Sequence, residues 1–467
     1  MSRRYPGGLI SKTPVTPTGA AAPGIWTLDQ AITYIKAGTW PLPTNIFWIG
    51  QLGTGVNGSL PAVVAVDSYA NSYFCGTRLS LDGYFEVAKY NSVGIIQSQK
   101  NLGDSANGFS INGAAVDSNN NVYVCGSLTD TTLITNAAQI VKYDSSGAIQ
   151  WQRTLADSAG ATVAYGVAVD SSANVYVCGY TAILGYLAFL VVKYNTSGVL
   201  QWQKTLDSSS TTRYARAYAT TVDSSGNVYF CGDSNQSGDT ALVVGKYNTS
   251  GVLQWKRTLT RTGFTTQGRG IATDSSGNVY VCGDSTAATS GGFTNAIIAK
   301  YDTSGAIQWK RNLGTSAALS YNTAITADSS GNVYVCGTAV ISGSYDFLIA
   351  KYDTSGAIQW QRRLGSTANT EYGFGIALDS FGNMYVSGTR STGYWLFAKL
   401  PTDGSLTGTY TVGGVSIVYG TASLTDSVST LTDITNIFAD AAGSTTDSVS
   451  ELTSATTTLT SSVTIIS

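Results

Sequence analysis

The chain has 467 residues, only 12% of them charged, and a formal net charge of −2. That balance excludes a strongly electrostatic nucleic-acid binder and offers no polybasic signal for a membrane surface. Histidine is absent, which removes the usual general base, the commonest metal ligand and every Ser–His or Cys–His nucleophile pair.

Residues 1–44 read as an arm. "RYPGGLISKTPVTPTGAAAPG" is rich in Pro, Gly and Thr, and no apolar run of signal-peptide length follows Arg3 and Arg4. No stretch reaches the 18 or so apolar residues of a membrane-spanning helix, so a soluble chain without a standard export signal is expected. "TLDQAITYIKAG" then predicts a short helix, with Thr27 and Gln30 as a capping box and Gly38 as its stop. Trp26 and Trp40 flank it and would dock either on a partner or on the rest of this chain.

From residue 45 to 404 one phrase recurs. "NVYVCG" or a near-copy follows an Asp-led turn whose Asp stands at 67, 117, 170, 223, 274, 328 and 379, intervals of 50, 53, 53, 51, 54 and 51 residues. A second phrase, "KYDTSGAIQWQRRL" from Lys351 and its relatives, alternates with the first. Each unit divides into four short β-branched or aromatic segments bounded by Asp, Ser, Gly or Asn, which predicts four antiparallel strands. Self-similarity at this period means stacked units or a closed ring, and four strands about every 50 residues describe a β-propeller blade. The expected fold is therefore all-β, a seven-bladed propeller.

The seventh unit lacks the fourth-strand Trp, with Gly408 in its place, while "NIFWIGQLG" carries Trp48 far upstream. Residues 45–52 are therefore expected to complete blade seven and close the ring. The repeated tryptophans are then Trp48, Trp151, Trp202, Trp255, Trp309 and Trp360, with Ser98 the single default in blade one.

All six cysteines are equivalent: Cys75, Cys125, Cys178, Cys231, Cys282 and Cys336, with Ser387 in the seventh place. Seven-fold spacing on a second strand about 10 Å from the axis keeps neighbours roughly 9 Å apart, beyond disulfide reach. They read as small packing residues between blades. The Asp-led turns carry one acid each, too few for calcium, so no metal and no cofactor is expected. Lys and Arg on the fourth strand, Arg153 and Arg362 among them, are expected to guard an open blade edge. The segments after each Cys-Gly pair differ most between copies, and loop variation on a constant scaffold is where function resides. No catalytic constellation emerges from them, so the chain is not expected to be an enzyme.

Residues 405–420 read as a connector. In 421–467, Leu424, Val428, Leu431, Phe438, Val449, Leu452, Leu459 and Val463 belong to a series spaced four, three, four, three. That predicts a heptad seam, an oligomerising coiled-coil-like stalk, although the Ser/Thr-rich flanks have poor helix propensity. A disordered tail is the alternative.

The repeat "DSSGNVYVCG…AKYDTSGAIQWKRNLG" resembles SBBP-type seven-bladed propeller repeats of bacterial and phage proteins, over about residues 45–404. "DTSGAIQW" also resembles the tryptophan-docking motif of quinoprotein dehydrogenases, one residue short. "RYPGGLISKTPVTPTG…GIWTLDQAITYIKAGTWP" is similar to the leader of structural proteins of marine bacteriophages, cyanophages included, and "LPTDGSLTGTYTVGG…LTDSVSTLTD" to the end of phage-encoded versions. This resemblance implies a virion component, a tail fibre, appendage or capsid-bound protein, made in the host cytoplasm. The arm or stalk would bind other virion proteins, a homotrimer would follow by analogy with phage fibres, and a host glycan or surface protein would be the receptor. A free carbohydrate-binding lectin is the alternative, and an enzyme acting on polysaccharide through paired carboxylates a weaker one.

Overall fold

The computed structural model describes residues 46–466 apart from 54–58, 79–84, 103–107, 130–135, 158–159, 184, 208–213, 236–238, 288–293, 315–319, 342, 367–368 and 392, and the short connectors 430–431, 436–438, 443–445, 449–453 and 457–460. The expected N-terminal arm and helix, with Trp26 and Trp40, lie outside these residues. Seven antiparallel sheets each contain four blade strands, in chain order in six of them. Blade three is typical, with Thr162–Val169, Val175–Ile183, Tyr186–Tyr194 and Leu200–Asp207. In blade seven the fourth strand is Phe47–Leu52, which pairs antiparallel with Tyr394–Pro401 and sets Trp48 opposite Lys399. The ends of the ring are thus joined by hydrogen bonds between residues some 350 positions apart, as the displaced Trp48 predicts.

The turns explain the repeated Asp. Its Oδ1 accepts the backbone N–H groups two and four residues on, and its Oδ2 accepts the Asn side chain four on and the Tyr hydroxyl six on. At Asp223 the donors are Ser225, Asn227 and Tyr229, at 2.8–2.9 Å. The same four bonds recur at Asp379, 2.7–3.1 Å. One carboxylate thus ties the first strand, the turn and the second strand together. The turn also needs a left-handed residue, Gly226 at φ +77° for instance, whereas Ala70, Asn120 and Ala173 hold it at φ 58–63° without glycine's freedom.

The tryptophans join blade to blade. Trp255 donates Nε1–H to the carbonyl of Thr303 in the next blade at 3.0 Å, and its ring lies against Gly305, where a Cβ would stand 2.7 Å from the indole. Trp151, Trp202, Trp309 and Trp360 repeat this on Thr196, Thr249, Thr354 and Thr402, and Trp48 reaches Ser92 across the closure. The cysteines are all buried and unpaired. Cys178 Sγ lies 3.7 Å from the Ala217 carbonyl of the next blade, and burial pushes the Cys75 and Cys336 thiols up to about 12.

The C-terminal region corrects one expectation. The hairpin Gly408–Val412 and Val415–Thr421 joins the outer edge of blade six through Val415–Thr421. After it, Asp426–Val428, Thr432–Thr435, Ala439–Ala442, Thr446–Ser448, Ser454–Thr456 and Ser461–Ile466 add a fifth strand to blades five, four, three, two, one and seven in turn. None of the described residues is helical. Residues 426, 433, 440, 447, 454 and 461 stand opposite Leu313, Leu259, Leu206, Leu155, Leu102 and Leu52. The heptad is thus one step around the ring. Strand twist of about 20–25° per neighbour turns the fifth strand nearly along the rim. Ser and Thr, poor in helices, suit such strands. Val428 and Val463 lie in strands and Leu424 packs against blade six, exchanging two hydrogen bonds with Gln361. Leu431, Phe438, Val449, Leu452 and Leu459 lie outside the described residues. The fourth strand is therefore no open edge, and its cations do other work: Arg153 and Arg362 donate to the Gly198 and Gly404 carbonyls of the next blade at 2.6 and 2.7 Å.

Candidate functional site

The first strand of every blade faces the ring axis, and every one carries the same irregularity. Register with the second strand slips by one residue at Ala62, Asn112, Tyr165, Tyr218, Arg269, Thr323 and Phe374. Each stands five residues before the turn Asp of its blade. A bulge re-aims its extra side chain out of the ladder, and six of these seven residues line the axial cavity of about 240 Å3. The residue after each bulge is small: Val63, Gly113, Gly166, Ala219, Gly270, Ala324 and Gly375. A Cβ on Gly166 would come within 3.0 Å of both Ala219 and Cys178, so the constant residues close the gap between blades.

Chemistry is concentrated on blades three to five. The Tyr165 and Tyr218 rings lie 5.0 Å apart, and the Arg269 guanidinium sits 5.0 Å over Tyr218. Arg269 also donates to Asp284 at 3.2 Å and to Gln267, whose amide donates to Asp233. Burial raises the carboxyls of both Asp233 and Asp284 above the usual range, with Arg269 opposing the rise. Burial likewise pushes the Tyr165 phenol up to about 12. On the flanking blades two and six, Asn112 donates to the Ala164 carbonyl at 2.8 Å and Thr323 to the Gly373 carbonyl at 2.7 Å, so these two polar bulges brace the next blade.

The arrangement presents aromatic faces beside a cation held in place by buried carboxyls, which suits a polar ligand with flat apolar patches. Among the described residues no group of three or more acids and cysteines stands close enough to hold a metal. Asp233, Asp239 and Asp284 stand in the variable segments after the Cys-Gly pairs, where the sequence alone establishes no pairing for them. Folding places Asp233 and Asp284 by Arg269, the first through Gln267 and the second directly, while Asp239 accepts from the Gly263 amide at 3.1 Å. The bulge residues were missed, because an off-ladder residue is invisible to alternation; the fixed five-residue offset from Asp is the signal that would have found them.

A model described as beta-propeller repeat, SBBP, matches residues 150–184, 254–288 and 308–339. The fold is that of a seven-bladed β-propeller repeat protein. No curated protein matches the sequence. Among solved structures the chain is similar to a gluconolactonase of Xanthomonas campestris (13% identity, TM-score 0.36, covering 65% of this chain and 90% of that one). It is also similar to a polysaccharide lyase (9%, 0.46, 73% and 90%) and to the β-propeller domain of a Pyrococcus furiosus protease (9%, 0.41, 73% and 93%).

Proposed function

We propose that this chain is a non-catalytic component of a phage particle, attached through residues 1–44, whose propeller binds a host-surface glycan at the channel. The observation that carries the binding reading is the Tyr165–Tyr218–Arg269 row of bulge residues. Sugars are held by aromatic faces under their C–H groups and by charged side chains that hydrogen-bond their hydroxyls. A hydrolytic reading needs two free carboxyls across a bond, and Asp233 and Asp284 are instead engaged by Gln267 and Arg269. The particle reading is supported by the resemblance of the leader "RYPGGLISKTPVTPTG".

A host-glycan array probed with the purified chain tests the first half. Binding is expected, and is expected to vanish in Tyr165→Ala/Tyr218→Ala; an array without hits refutes it. Immunogold electron microscopy of purified particles tests the second, and unlabelled particles refute that half alone.

A further inference from the structure

Six blades of the ring clamp an indole from their own fourth strand, and blade one does not. The six define what such a dock requires. Trp151 lies between Tyr123 and Tyr194, at ring distances of 6.1 and 6.3 Å, gives its N–H to the Thr196 carbonyl, and rests on Gly198, whose Cβ would fall 2.8 Å from the ring. Trp202, Trp255 and Trp309 repeat the set between Tyr176 and Tyr247, Tyr229 and Tyr301, and Tyr280 and Tyr352.

Between blades one and two every receiving element is kept. Tyr73 and Tyr143 flank the place, Gly147 floors it at φ +82°, and Ser145 lines it, its carbonyl accepting from Lys89 Nζ at 3.5 Å. Only the indole is missing, because Ser98 stands where the other blades have Trp. The result is a cleft lined by Tyr73, Lys89, Ser98, Lys100, Tyr143 and Gly147. Its free volume is about 20 Å3, since the stem of Lys100 lies 3.2 Å from the position of a Gly147 Cβ. The Tyr143 hydroxyl is buried and has no hydrogen-bond partner among the described residues. The stem of Lys100 thus occupies the place of the absent ring, and a receptor cut to one shape with its occupant deleted accepts that occupant from outside when the stem is displaced.

We infer that the cleft between blades one and two is a binding site for an indole ring, taken edge-in between Tyr73 and Tyr143 with its N–H on the Ser145 carbonyl. The chemistry is shared by a free indole and by a tryptophan side chain, and Trp26 and Trp40 of this chain are among the possible donors of the latter.

The test uses 5-fluoroindole, followed by fluorine NMR, on the full chain. Saturable binding is expected, with a rise in melting temperature. Lys100→Ser should tighten binding by removing the stem that occupies the dock, and Ser98→Trp should abolish it by filling the dock from within. Binding to the unaltered chain assigns the site to an indole from outside. Binding that appears only in Trp26→Ala or Trp40→Ala assigns it to this chain's own residue. No binding in any of these proteins, or binding undiminished by Ser98→Trp, overturns the inference.

Discussion

The turn face of the ring and its axis are built on opposite rules. One face carries the turns between first and second and between third and fourth strands, and there the blades are near-copies: an Asp taking four donors, a Lys over a Tyr, a Trp docked on the neighbour. Along the axis, by contrast, Asn112, Tyr165, Tyr218, Arg269, Thr323 and Phe374 stand at one structural position with five different chemistries. The uniform face holds the ring shut, and because it does, the axial positions are free to differ, Asn112 and Thr323 bracing the next blade while Tyr165, Tyr218 and Arg269 stack on one another. The bulge is the device that separates the two, since it takes one residue per blade out of the ladder without disturbing its neighbours.

The sharpest way to break this comparison is to open the ring. Deleting residues 45–52 removes the fourth strand of blade seven and the Trp48 dock, and the single cooperative melt is expected to be lost; an unchanged calorimetric transition would show that closure is not what couples the blades. Next comes a matched pair of substitutions. Asp223→Ala on the uniform face strips four donors of their acceptor and should cost about 2–4 kcal/mol in urea denaturation. Tyr218→Ala at the axis should cost no more than about 1 kcal/mol and act on glycan binding instead. Equal costs would erase the division of labour.

A smaller effect is set by pH. Glu371, at the start of the first strand of blade seven, is buried, and burial lifts its carboxyl from the ordinary range to about 7, although Ser366 donates to it from both its amide and its hydroxyl. Its folded-state value lies above the unfolded one, so its contribution is full below about 4.5 and is lost as pH rises through about 7. Stability measured across that interval should fall with pH in the natural chain and flatten in Glu371→Gln. The smallest change repairs the uniform face: Ala173→Gly, at φ 58°, should gain about 1 kcal/mol by relieving a left-handed alanine. Destabilisation by this change would mean that the turn is not strained.

Much of this was legible in the letters. The Asp, Asn, Tyr, Cys and Trp positions recur because each makes a local or nearest-neighbour contact, and such contacts repeat whenever the sequence does. The displaced Trp48 gave away the closure for the same reason. What the letters did not give was the meaning of the last heptads. A period of seven fits a helical seam and also fits one step around a seven-bladed rim, and only the pairing of residues 426, 433, 440, 447, 454 and 461 with one leucine per blade selects the second.

The sequence by itself determined the repeating unit, the number of blades and the strand that joins the ends, because those follow from short-range periodicity and one out-of-place tryptophan. The tertiary structure decided which residues meet at the axis, what covers the rim and where a dock stands without its indole. Those depend on distances between residues from different blades, and no pattern along a single chain encodes them until the ring is closed.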